Sequence, residues 1–118
     1  MIPDVSIIVP CYNVAAYLDQ CMESLTGQSM KDIEIICVND GSSDCTAEIL
    51  REWRNRDRRV RIIDQKNSGV SAARNSGMAA AAGTYIGFVD PDDMVERNMF
   101  QRLVTAAAEK EADVAVCG

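Results

Sequence analysis

Residues 5–27, VSIIVPCYNVAAYLDQCMESLTG, carry the pattern that decides the fold. Val5–Val9 is apolar and β-branched apart from Ser6, and Pro10 closes it, so it reads as a buried strand. Asn13 offers an N-cap, Leu18, Cys21, Met22 and Leu25 recur at helical spacing, and Gly27 supplies a stop. A wholly apolar strand followed at once by an amphipathic helix is the first half of a βαβ unit.

The alternation continues outward from there. Residues 33–38 (IEIICV) read as a second strand, running into the turn cluster 39–44 (NDGSSD), whose Ser and Asp can cap a helix with Ile49, Leu50 and Trp53 on its buried stripe. Residues 60–63 form a third strand, and the loop 64–69 leads to a small-residue helix over 70–82 that Gly83 ends. The alanines at 79–82 permit close approach to a sheet. Residues 85–89 make a fourth strand, residues 95–111 a helix with Phe100, Leu103, Val104 and Ala107 inward, and residues 114–117 a fifth strand. We therefore expect an α/β fold: a three-layer, open, mainly parallel sheet with helices on both faces and right-handed crossovers, forming a single domain over residues 1–118.

Composition narrows the chemistry. With 118 residues, 47% hydrophobic, the chain has material for one core. Its net charge of −6 argues against nucleic acid as a partner. The one basic stretch, residues 51–61 (REWRNRDRRVR), reads first as a solvated helix end and loop, and second as a peripheral contact with an anionic membrane surface. No apolar run is long enough to span a bilayer and no secretory signal opens the chain, so a cytoplasmic location is expected, with the cytoplasmic membrane face as the variant. The five cysteines are odd in number and form no Cys-x-x-Cys pair, which points to core thiols rather than disulfides or zinc. With no histidine, an imidazole base is excluded and a bound metal must be held by oxygen, favouring Mg2+ or Mn2+.

In an open parallel sheet, ligands bind beyond the carboxyl ends of the strands. The unusual residues converge there: Pro10-Cys11-Tyr12-Asn13, Asn39-Asp40-Gly41-Ser42, Lys66-Asn67-Ser68-Gly69 and Asp90-Pro91-Asp92-Asp93. Neither a Gly-x-Gly-x-x-Gly turn nor a P-loop occurs, so phosphate needs another device. Carboxylates at 90, 92 and 93 would repel one another and a diphosphate, and a divalent cation turns that repulsion into a bridge. The plainer alternative makes 91–93 a turn that caps the next helix. With Asp40 at a neighbouring strand end, we expect Asp40, Asp90 and Asp92 to gather around one cation.

The segments VSIIVPCYN, EIICVNDGSSDCT and NSGVSAARNSGMAAAAGTYIGFVDPDD resemble, in order and spacing, the family 2 glycosyltransferases of GT-A fold, over nearly the whole chain. The resemblance implies an inverting, metal-dependent transfer of a sugar, of hexosyltransferase type, from a nucleoside diphosphate sugar to a saccharide or lipid-linked acceptor. It implies that Pro10, Cys11 and Tyr12 wall the nucleotide base and that Asp40 accepts a uracil N–H, favouring a UDP-linked donor. Asn67, Gly69 and Arg74 would line base and ribose. Asp90 would contact the ribose as first member of an Asp-x-Asp pair, Asp92 would bind the metal (Mn2+ or Mg2+), and Asp93 would orient the sugar. The family's catalytic base lies beyond the position matching Gly118, so no catalytic residue is assigned in this chain. We expect a donor-binding portion of a longer enzyme, truncated at its C-terminus and inactive alone, with a role in polysaccharide biosynthesis. Exposed apolar surface makes homo-oligomers a further expectation. Two rivals remain open: a non-catalytic nucleotide-sugar-binding module, and an Asp-based phosphatase or phosphomutase, which would normally carry its Asp motif on the first strand.

Overall fold

The computed structural model describes residues 3–109 and 114–116, with side chains over residues 3–106. Five strands form one parallel sheet: β1 (Val5–Cys11), β2 (Ile33–Asp40), β3 (Val60–Gln65), β4 (Tyr85–Phe88) and β5 (Val114–Val116), in the order β3-β2-β1-β4-β5. The helices between them are α1 (Ala15–Thr26), α2 (Thr46–Arg56), α3 (Val70–Ala80) and α4 (Met99–Glu109). Ala107, Glu111 and Cys117, expected in the last helix stripe, helix end and strand, fall outside the residues whose side chains are described.

The two faces are unequal. Val5, Ile7, Val9 and Cys11 of β1 point into the main core with Leu18, Met22 and Leu25 of α1, Leu50 and Trp53 of α2, and Phe100 of α4. On the other face Ile36 and Val38 meet Ala73 of α3. α3 lies close because it is made of small residues: a Cβ on Gly77 would stand 2.5 Å from Ile8 Cγ2.

Strand β1 continues past the apolar run Val5–Val9 and ends at the dipeptide Pro10-Cys11, as expected. Proline is tolerated in this central strand because β4 pairs with β1 only from Val5 to Ile8. Val89 N–H donates to Ile8 O, so Ile8 faces β4 and Pro10, two residues on, faces the same side after β4 has ended. No ladder bond is lost there.

Helix ends depart from the sequence reading because distant groups set them. Asn13 is not the N-cap of α1. It adopts φ 51° and its Oδ1 accepts Ser43 N–H (2.8 Å), while Val14 N–H and Ala15 N–H donate to Thr46 Oγ1 and Asp44 Oδ2. Gly27 follows α1 with φ −89°, so its left-handed freedom is unused. α4 begins at Met99, not Val95, because buried Gln28 holds the preceding loop. Its Nε2 donates to Glu96 O (2.7 Å) and its Oε1 accepts Phe100 N–H (3.1 Å). α3 stops at Ala80, before the expected Ala82, because Glu34 Oε2 takes Ala82 N–H (2.6 Å) and Arg61 takes Ala80 O (3.0 Å).

The arginine-rich stretch is partly structural. Arg59 binds Asp57 (2.7 Å) and donates to Thr26 O, Arg61 pairs with Glu34 (2.7 Å), and Arg56 lies over the Trp53 ring. Cys11, Cys21 and Cys37 are buried free thiols as expected, whereas Cys45 is exposed. Among the described residues no helix is long and apolar enough to cross a membrane.

Candidate active site

Strand order reverses between β1 and β4. β1 leads by α1 to β2 on one side, while α3 returns the chain to β4 on the other. Beyond the carboxyl ends of two such strands the connections diverge and leave a crevice. A cavity of about 310 Å³ opens there, lined by Pro10, Cys11 and Tyr12 after β1, Asp40 after β2, Asn67 and Gly69 from the β3–α3 loop, and Val70 and Ala73 of α3. Six of these eight are sequence-derived site residues; Val70 and Ala73 are not, since small apolar helix residues carry no chemical signal.

Asp40 is the charged group of that cavity. Its Oδ1 accepts Gln65 Nε2 (2.9 Å) and Ser68 N–H (2.8 Å), and its Oδ2 accepts Gly69 N–H (3.0 Å). The Gln65 side chain, with the two backbone donors, holds the carboxyl below its ordinary range despite burial, so it is an ionised acceptor at neutral pH. Two positive-φ glycines shape the backbone around it, Gly41 (φ 71°) in the β2–α2 loop and Gly69 (φ 97°) in the β3–α3 loop. At Gly41 a Cβ would also meet Asn67 N at 2.6 Å.

The β1–α1 and β2–α2 loops clasp each other. Asn13 N–H donates to Ser42 Oγ (3.0 Å), and Asp44 joins Ala15 N–H to Thr46 N–H through its two oxygens. This seats Tyr12, 52% exposed, at the cavity rim.

Asp90, Asp92 and Asp93 form the acidic cluster, one carboxylate oxygen of each lying within 4.8 Å of the others. Pro91 produces it: Asp93 N–H donates to Asp90 O (3.0 Å), closing a turn with proline at its second position. Because α4 starts only at Met99 and is met by Gln28, these aspartates do not cap it. Asp93 Oδ2 is buried without a partner. Arg74 stands 3.5 Å from Asp90, with both side chains nearly half exposed, and offsets little of the repulsion. An all-oxygen, triply acidic cluster with an unpartnered oxygen fits a hard divalent cation.

Asp40 does not belong to that cluster, contrary to expectation. β1 separates β2 from β4, so Asp40 serves the cavity and the Asp90 turn forms a separate subsite. The two are adjacent: Ala73 lines the cavity and the next residue, Arg74, pairs with Asp90. Below both sits Cys21, whose thiol is pushed up to about 12 by burial, then by Cys11 and the three aspartates, and which reaches toward Asp90 O. It is a neutral packing group.

The glycosyl transferase family 2 model matches residues 6–118. The chain belongs to that family. It is 53% identical over 118 residues to the uncharacterized glycosyltransferase EpsJ of Bacillus subtilis, covering all of this chain and 34% of EpsJ. It is 41% identical over 95 residues to the chondroitin synthase of Pasteurella multocida, covering 80% of this chain and 10% of the synthase. This family 2 chain thus spans about a third of EpsJ's length. The crystal structure of Staphylococcus aureus TarS 1–349 in complex with UDP-GlcNAc superposes with TM-score 0.84 at 28% identity, covering 92% of this chain and 32% of that one. The mannosyltransferase PcManGT of Pyrobaculum calidifontis, solved with GDP-Man and Mn2+, shares the fold at TM-score 0.84 and 23% identity, covering 92% of this chain and 33% of its own. The fold is GT-A, and the phosphatase reading has no support in this membership.

Proposed function

We propose that this family 2 chain is the donor-binding portion of an inverting, metal-dependent glycosyltransferase that uses a UDP-linked sugar and a saccharide or lipid-linked hydroxyl acceptor. The observation that carries the reading is the adjacency of an ionised acceptor, Asp40, in a cavity and a triple-aspartate turn beside it. In this arrangement the base lies between Pro10 and Tyr12 and donates its ring N–H to Asp40. Asn67, Gly69 and Arg74 line the base and ribose, and Asp90 takes the ribose hydroxyls. The diphosphate then falls against Asp92, and Asp93 orients the sugar. A Mn2+ or Mg2+ ion held by Asp92 would neutralise charge on the departing diphosphate. The acceptor hydroxyl attacks the anomeric carbon from the face opposite that leaving group, as inversion requires. UDP-GlcNAc in TarS supports a uridine donor at 28% identity.

The base that deprotonates the acceptor is assigned to none of the described residues. Asp44 is used in capping and Glu96 meets Arg102 on the surface. We accordingly expect these 118 residues alone to bind donor and to transfer sugar poorly or not at all.

Titration calorimetry with UDP tests the assignment. Affinity should fall at least about tenfold when Mn2+ is withdrawn or when Asp92→Ala removes its ligand. Unchanged affinity in both experiments would reject the metal-bridged site.

A further inference from the structure

We propose that Gln65, oriented by Ser76, is the positioning residue that holds the Asp40 carboxylate with one oxygen free for a ligand, so that the cavity selects a nucleobase presenting a ring N–H. The inference rests on the donor-binding reading above. Gln65 itself does not line the cavity, so any effect it has on a ligand passes through Asp40.

The geometry is a relay across three elements. Strand register sets Gln65 beside Asp40. Ser76 Oγ on α3 donates to Gln65 Oε1 (2.6 Å), and Gln65 Nε2 donates to Asp40 Oδ1 (2.9 Å). Turning the amide over would set its oxygen against a carboxylate, so one orientation is enforced. With Ser68 N–H also on Oδ1, that oxygen is filled, whereas Oδ2 accepts only Gly69 N–H and keeps a lone pair. Ser68 and Gly69 are exposed loop residues, and Gln65 is the one side-chain donor to the carboxylate among the described residues. An acceptor held in this way takes the N–H between the carbonyls of uracil. It opposes the bare ring nitrogen that cytosine offers in the same place.

Charged groups on the surrounding elements are Asp64, Lys66 and Arg74. Asp64 is bonded to Asn39, Arg74 to Asp90, and none of the three bonds Asp40 or Gln65. A second carboxylate in place of Gln65 would therefore be felt directly by Asp40.

The test is calorimetry on the full chain with UDP and CDP in the presence of Mn2+, each variant first checked by thermal melting. Wild type should prefer UDP, and Asp40→Asn should erase that preference. Gln65→Ala should weaken UDP about tenfold, the worth of a hydrogen bond to a charged group, and leave CDP within about twofold; Ser76→Ala should cost about threefold. Gln65→Glu supplies a readout that simple loss of packing would not move. Near about pH 5 the protonated acid donates to Asp40 as the amide did, and UDP affinity should lie within about twofold of wild type. By about pH 8 both groups are ionised and affinity should drop about tenfold against wild type at that pH. Because the pH comparison is made within one folded variant, it decides the matter even if Gln65→Ala does not fold. If Asp40→Asn erases the preference while the Gln65 variants keep wild-type affinity at every pH, the positioning role is wrong and the donor reading stands. If wild type does not distinguish UDP from CDP, or Asp40→Asn leaves the preference intact, the donor reading fails and the inference with it.

Discussion

Strand β2 carries a buried carboxylate near each end, and the two have opposite fates. At its start Glu34 is bonded within the protein: Oε1 accepts from Arg61 (2.7 Å), and Oε2 accepts from Ser6 Oγ (2.5 Å) and Ala82 N–H (2.6 Å). Ser6 Oγ in turn accepts Gly83 N–H, and a Cβ on Gly83 would stand 2.6 Å from Ser6 N. At its end Asp40 has as many protein donors, divided between its oxygens in the same way, but lines an open cavity. The network at Glu34 locks strand, helix end and turn together, while the one at Asp40 leaves the carboxylate at the edge of open space. What separates them is their surroundings, since Arg61 lies against Glu34 whereas Asp40 lines a cavity.

The comparison can be broken by stability measurements. The largest effect is expected for Glu34→Ala, about 3 kcal/mol in chemical denaturation, because Ser6 and Ala82 N–H lose a charged partner inside the protein. Asp40→Ala should cost only about 1 kcal/mol, since Ser68 and Gly69 can turn to water, while UDP binding is lost. Equal losses from the two substitutions would mean that both ends of β2 are structural.

The smallest effect is in acid. Burial would raise the Glu34 carboxyl, but hydrogen bonds from Ser6, Ala82 N–H and Arg61 outweigh it and hold the group below its ordinary 4.5. A carboxyl depressed in the folded state adds stability that is fully present above that value and is lost as pH falls through its lower, folded one. Thermal melts from neutral pH down to about pH 3 should decline below that range in wild type and less steeply in Glu34→Gln.

Much of the site was legible because chemistry and position coincided in short segments. Pro10-Cys11-Tyr12, Asp40, Asn67 and Gly69 each end a strand or enter a helix, and parallel topology brings such ends to one edge. The Asp90 turn was legible for the same reason, with Pro91 as its local cause. Gln65 was not. Its role depends on the β2–β3 register and on Ser76 one element later, neither of which a strand-end motif encodes. Asn13 misled in a related way, since its side chain serves a loop from a distant part of the chain rather than its own helix, and the start of α4 was misplaced because Gln28, far away in sequence, holds the loop before it.

By itself the sequence determined which segments are strands and helices, that they alternate, and that acidic residues crowd the strand ends. Those properties follow from side-chain periodicity and local turn chemistry, which act within a few residues. Only the tertiary structure decided that Asp40 and the Asp90 turn form two neighbouring subsites rather than one, that Gln28 and Glu34 set helix ends, and that α3 packs against the sheet beside the cavity. These depend on strand order and on hydrogen bonds between residues tens of positions apart, whose geometry exists only once the sheet has closed.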